Sequence, residues 1–237
     1  FVNPDSMGIF SIPEDPTPVI ERARQLNPNL QILFSIAGGA LTEEWRYAYQ
    51  EYKKTENRTN FIHNLMTFTR QYDVDGLDVD LEWQDVDENY SPFVIELSDS
   101  LLANNMSITA ALPPTTRFGN ITDEALNRFE FINLMAYDEF GPWRPNNPGR
   151  HSSLAFAEAG INYWKLAQGL SNKKLTLGVP FYGYDFSDPS QTSSVTYGQM
   201  VAQDTTYTQL DQVGETYYNG IPTIKTKLAL ARERVGG

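Results

Sequence analysis

The stretch Asp75-Gly76-Leu77-Asp78-Val79-Asp80-Leu81-Glu82-Trp83 decides how the rest of the chain is read. Four acids fall in its first eight residues, with apolar residues in most of the gaps. On a β-strand, side chains alternate faces with a period of two. Val74, Gly76, Asp78, Asp80 and Glu82 then share one face, while Leu77, Val79 and Leu81 share the other. The leucine and valine face asks for helices packed against it. The carboxylate face has no such use, because burying unpaired charge is costly. Acids this close cannot all ionise freely, so the group is expected to share a proton and titrate as a unit. The row needs a function.

The flanking sequence says what kind of sheet holds that strand. Phe1-Val2 reads as the end of a strand, and Pro18 to Leu26 as a short helix. Leu30 to Ile36 is a buried strand running into the turn Ala37-Gly38-Gly39. A polar helical region starts near Thr42, and Asn57 or Asn60 opens a firmer helix. Its Phe61, Leu65, Phe68 and Tyr72 form one apolar stripe. After the acid strand, Ser91-Pro92 suits an N-cap and first helical position, with Phe93, Val94, Leu97 and Leu101 as the apolar face.

Met106 to Leu112 is the next strand, closed by Pro113-Pro114, and Thr122 starts a short helix. Phe129 to Tyr137 follows as a strand. Ser152-Ser153 leads into a helix carrying Leu154, Ala157, Ile161 and Trp164, capped by Gly169. Leu175 to Tyr182 is the fifth full strand, 185 to 219 a polar, turn-rich segment, and Pro222 to Val235 the last helix. Strands alternating with helices give an α/β fold with a parallel sheet. Small or polar residues close each strand, as at the active-site end of a (β/α)8 TIM barrel. A doubly wound sheet is the rival, but no Gly-x-Gly-x-x-Gly follows any strand.

Composition narrows the function. The 237 residues carry 18 Lys+Arg against 30 Asp+Glu, a net charge of −12 that repels phosphate backbones and disfavours nucleic acid as a partner. With no cysteine and two histidines, disulfides, thiolate chemistry and a histidine-rich metal site have nothing to build on. No run of eighteen apolar residues offers a transmembrane helix. Three uses for the acid face remain open: oxygen ligands for Mg²⁺ or Ca²⁺, acid–base work on a glycosidic bond, or an accident of an acidic composition.

Asp75-x-x-Asp78-x-Asp80-x-Glu82 resembles the signature of the family 18 glycoside hydrolases, the chitinases and their relatives. Three further matches stand in the family's order: Ser35-Ile-Ala-Gly38-Gly39, Met135-Ala-Tyr137-Asp138 and Gly178-Val-Pro180-Phe-Tyr182-Gly183. Tyr217-Tyr-Asn-Gly-Ile-Pro-Thr-Ile is similar to the segment before the last helix of bacterial members. The resemblance implies a retaining, substrate-assisted hydrolase of β-1,4-linked N-acetylglucosamine polymers without metal or cofactor. Such a mechanism is an exception to the two-carboxylate scheme. Glu82 would be the general acid, and Asp80 would hold the substrate's acetamido N–H, backed by Asp78 and Ser35. Tyr137 would donate to the acetamido oxygen, Met135 would line the methyl pocket, and Asp138 would lie beside Glu82.

Trp143, in a polar loop, is a candidate for stacking a sugar, and Tyr182 for a sugar contact. Trp83 could support Glu82 rather than touch substrate. Asp75, of opposite parity, reads as structural, and His151 as a helix-entry residue. Against the family's pattern, 185 to 219 is too short for a large α+β insertion domain. The chain also lacks the first strand, most of the second and the eighth, so 1–237 reads as one partial catalytic domain holding strands 3 to 7. The same resemblance implies a monomer, secreted, periplasmic or at the cell surface, with a carbohydrate partner and no membrane. The alternatives are an endo-β-N-acetylglucosaminidase acting on N-glycans and a non-catalytic chito-oligosaccharide-binding protein.

Overall fold

In the computed structural model, which describes residues 1–236, the acid stretch forms a parallel strand with a neighbour on each side. The chain divides into two compact units. One is Phe1–Ala111 with Arg117–Ile132, and the other is Leu112–Thr116 with Asn133 to the C-terminus.

In the first unit, β1 (Asn3–Pro4) and β2 (Phe10–Ser11) form a two-residue antiparallel ladder. Val2, before them, donates its N–H to the Ser35 carbonyl at 2.8 Å, so it is strand-like as expected. Then come α1 (Thr17–Leu26), β3 (Leu33–Ala37), α2 (Glu43–Tyr52) and α3 (Thr55–Thr69). β4 (Gly76–Asp80), α4 (Tyr90–Leu102), β5 (Ser107–Leu112) and α5 (Asp123–Arg128) follow. Thr42 caps α2 and Thr122 caps α5, each accepting a backbone N–H three residues on.

The predicted parity of β4 holds. Leu77, Val79 and Leu81 are fully buried, as are Phe61 and Leu65 of α3 and Phe93, Val94, Leu97 and Leu101 of α4. Each large apolar side chain so buried is worth roughly 1.5–3 kcal/mol. A one-residue slip would exchange the two faces, so the apolar face fixes the register of the acid face.

Two expectations in this unit need correction. Ser91 is not an N-cap: the helix begins one residue earlier, and the Ser91 hydroxyl donates to the Asn120 carbonyl and accepts the Thr122 N–H. α3 opens at Thr55, before either asparagine proposed for its start.

The second unit holds β6 (Ile132–Leu134, from Asn133), α6 (Leu154–Asn162), β7 (Leu175–Leu177) and β8 (Tyr182–Asp185). After these come β9 (Ser193–Thr196), α7 (Tyr197–Gln203), β10 (Gln212–Val213), β11 (Thr216–Tyr217) and α8 (Ile221–Arg234). Both long strands predicted here are shorter than expected. β6 stops because the N–H groups of Ala136 and Tyr137 turn back to the carbonyls of Leu134 and Met135, at 2.8 and 2.7 Å. β7 and β8 are separate strands, with Pro180 between them unable to donate to a ladder. The segment 185 to 219 is more ordered than its polarity suggested. β8 to β11 form an antiparallel sheet in the order β10-β11-β8-β9, joined by α7 with a complete capping box at Thr196 and Gln199. α6 runs on into a π-helical turn, Tyr163–Ala167, and Gly169, at φ +70°, follows its cap as the sequence indicated.

Candidate active site

The first unit carries the acids. Because β3, β4 and β5 are parallel and in register, Ser35, Asp78 and Thr109 occupy one row across the three strands. Ser35 Oγ donates to Asp78 Oδ2 at 3.0 Å, and Thr109 Oγ1 donates to Asp78 Oδ1 at 2.5 Å. The sequence pointed to Ser35 but not to Thr109. Its only signal is even spacing on a strand whose register the sequence does not give.

Asp80, two residues on, is 7% exposed, and its Oδ1 has no hydrogen-bond partner. Burial, then the charges of Glu82 and Asp78, push its pKa up to about 7. Near neutral pH the Asp80 carboxyl is therefore partly protonated. Tyr90, at the start of α4, is fully buried with its hydroxyl unpartnered; burial and the charges of Asp78 and Asp80 keep it a neutral phenol.

Glu82 lies just past the end of β4, in extended backbone. A Cβ at Gly39, in the turn after β3, would stand 2.9 Å from Glu82 Oε1, so a side chain there would push this carboxyl aside. Trp83 follows the acid. It is 67% exposed, meets Phe118 edge-on at 5.6 Å, and holds a left-handed φ of +51°, unusual for so bulky a residue. Residues on and just after α2 pair with the turn: Arg46 with Asp85 at 3.3 Å, and the buried Lys53 with Asp87 at 3.0 Å. Asp75 is structural as predicted, paired with Arg24 at 2.9 Å and accepting the Ile32 N–H at 2.7 Å.

The second unit carries the tyrosines. Asp138 has a left-handed φ of +63°, and its Oδ1 is shared by three groups. Tyr182 donates at 2.6 Å, Tyr184 donates at 3.0 Å, and His151 Nδ1 lies at 3.3 Å. Partial burial would raise the Asp138 pKa, but the bonds from His151, Tyr182 and Tyr184 outweigh it and hold the carboxyl below its ordinary range. The two phenols are raised in turn, by burial and by Asp138, and stay neutral donors. Tyr137 meets the Tyr182 ring edge-on at 6.2 Å. Met135 is half-buried in the same segment. Trp143 is 54% exposed and stands edge-on to Tyr184 at 5.7 Å.

His151 is more than a residue at a helix entry. Its ring is 1% exposed, and Nε2 lies 3.0 Å from the Tyr182 carbonyl oxygen. Sequence gave no signal for this, since its partners lie 13 and 31 residues away. Among the described residues, no group of three or more His, Cys, Asp or Glu side chains is arranged to hold a metal ion. No helix there is long and apolar enough to cross a membrane.

The chain matches known proteins over nearly its whole length. The profile of a family described as "Glycosyl hydrolases family 18" matches residues 4–228. The crystal structure of the GH18 chitinase ChiB, from the chitin utilization locus of Flavobacterium johnsoniae, is 44% identical with a TM-score of 0.97; the match covers 100% of this chain and 76% of that one. A chitinase from Bacteroides thetaiotaomicron is 28% identical with a TM-score of 0.79, covering 100% and 77% of the two chains. A probable chitinase 10 of Drosophila melanogaster is 30% identical over 173 residues, 62% of this chain but 8% of that protein. These structural likenesses give the (β/α)8 barrel as the fold class.

Proposed function

We propose that this chain, which belongs to the glycosyl hydrolases family 18, hydrolyses β-1,4-linked N-acetylglucosamine polymers by a retaining, substrate-assisted route. The observation that carries the proposal is the acid row of β4. Asp78 is held by two hydroxyls, Asp80 is buried with a free acceptor and a pKa near neutrality, and Glu82 follows at the strand's end. A purely structural row would neutralise or pair its members. Here one buried oxygen is left for a donor such as a substrate amide.

In this reading, Glu82 gives its proton to the glycosidic oxygen as the bond to the anomeric carbon breaks. The carbonyl oxygen of the substrate's own 2-acetamido group forms the new bond to that carbon, giving an oxazolinium ion. Asp80 accepts the amide N–H and offsets the cation, and its shared proton moves toward Asp78 as it does so. Tyr137 donates to the acetamido oxygen and aligns it for attack, a positioning effect. Water then adds to the anomeric carbon, its proton returns to Glu82, and the acetamido group reopens. Stereochemistry is retained because the carbon is displaced twice.

Met135 lines the acetamido methyl group, Trp143 and Tyr182 contact sugar, and Asp138 supplies fixed negative charge. The enzyme works as a monomer, secreted, periplasmic or at the cell surface, where a polymeric substrate is met. Replacing Glu82 tests the assignment. Glu82→Gln should lose turnover of chito-oligosaccharides while still binding them, and retained turnover would refute it. Release of N-glycans without action on chitin oligomers would select an endo-β-N-acetylglucosaminidase instead.

A further inference from the structure

Lys227 of α8 is fully buried, yet among the described residues no carboxylate is paired with it. Its ammonium uses all three donors on neutral acceptors: the Ser152 carbonyl at 2.7 Å, Ser152 Oγ at 2.6 Å and Asn219 Oδ1 at 2.7 Å. Burial lowers its pKa to about 8, with the charge of Asp211 opposing the shift. A buried ammonium solvated only by dipoles is an expensive arrangement, and an apolar residue would fill the same space at less cost. What it holds accounts for its presence.

Ser152 is itself fully buried, and its hydroxyl donates to the Ala136 carbonyl. The preceding residue, His151, accepts the Glu139 N–H on its carbonyl at 3.0 Å and places its ring on Asp138. Residues 151 and 152 therefore strap the segment from Ala136 to Glu139 at both ends. That segment needs a strap. It leaves β6 through two successive three-residue turns and then adopts the left-handed backbone at Asp138, none of which a ladder stabilises. Asn219, held on Lys227, donates in turn to the Ser152 carbonyl at 3.0 Å.

We infer that Lys227 is a positioning residue: through Ser152 and His151 it fixes the strained segment that carries Tyr137 and Asp138. It touches no substrate. The inference rests on the hydrolase reading for its effect on rate, but not for its effect on His151.

The test uses the protein expressed from its complete gene. Lys227→Met keeps the apolar stem and removes the three donors. Ser152→Ala removes the link to Ala136 and leaves the ammonium two acceptors. Melting temperature, kcat and KM on a chito-oligosaccharide are measured for each variant and for the double variant. The ring resonances of the chain's two histidines are followed by NMR, with His63 as the internal reference. A loosened segment should lower kcat by between about tenfold and a hundredfold with KM little changed. The double variant should be no slower than Lys227→Met alone, and both single variants should shift the His151 signals but not those of His63.

Unchanged kcat and His151 signals in folded Lys227→Met, or losses that simply multiply, would overturn the inference. If Lys227→Met does not fold, Ser152→Ala carries the same readouts. Were the wild type inert on every chito-oligosaccharide, the hydrolase reading would fail, and the His151 signals would still decide the role of Lys227.

Discussion

Thr109 Oγ1 stands 2.5 Å from Asp78 Oδ1, donated from the position on β5 that the sheet register sets opposite Asp78. With Ser35 on the other oxygen, both sides of that carboxylate accept a hydroxyl proton. Hydrogen bonds to a charged group are worth about 1.5–3 kcal/mol each.

Thr109→Val keeps the shape of the side chain and removes one donor. Asp78, held by one hydroxyl fewer, should then be a looser neighbour for Asp80. The expected outcome is a fall in kcat of about tenfold, in line with the loss of a bond of that strength, and a displaced limb in the pH–rate profile. A profile and rate equal to wild type would show that Thr109 does not hold the pair.

Stability should depend on pH through Asp80. Its pKa rises from the ordinary carboxylate value when unfolded to about 7 when folded. Between those values the native state holds a proton that the unfolded chain has lost, so stability falls as pH rises through that window and levels off above it. Asp80→Asn removes the effect. Relative to wild type it should gain on the order of a few kcal/mol at pH 8 and nothing below about pH 4. Urea denaturation of the two proteins at both pH values checks this; equal stability at pH 8 would contradict it.

Gly39→Ala places a methyl group 2.9 Å from Glu82 Oε1. Gly39 is exposed and has no positive φ, so the fold has little to lose. The Glu82 carboxyl must move instead, and a shift of that kind at a proton donor costs up to about a hundredfold in rate. We expect kcat to fall while the melting temperature stays within a few degrees, measured on the same preparation.

Much of this was legible in the chain itself. The parity of β4 follows from alternation alone, because its apolar face has only one place to go. Helices α3 and α4 follow from apolar periodicity, though not their first residues, and α6 and α8 from periodicity or flanking residues. Thr109, His151 and Lys227 were not legible, and for one reason: each acts on a partner that only tertiary register brings near. Lys227 reads as one more charge on the last helix, yet two of its three hydrogen bonds go to Ser152, 75 residues away. The left-handed backbones at Trp83 and Asp138 are equally silent in sequence, since neither residue is a glycine. The sheet of 185 to 219 was missed because its strands run to two to four residues, too short to show alternation.

The measurement closest to the central claim is the anomeric form of the first product. Cleavage of a chito-oligosaccharide is followed by proton NMR from the first minutes, before mutarotation. Attack by the substrate's own acetamido group, with Glu82 as acid and then base, predicts that the new reducing end appears as the β-anomer. An α-anomer appearing first would contradict the account.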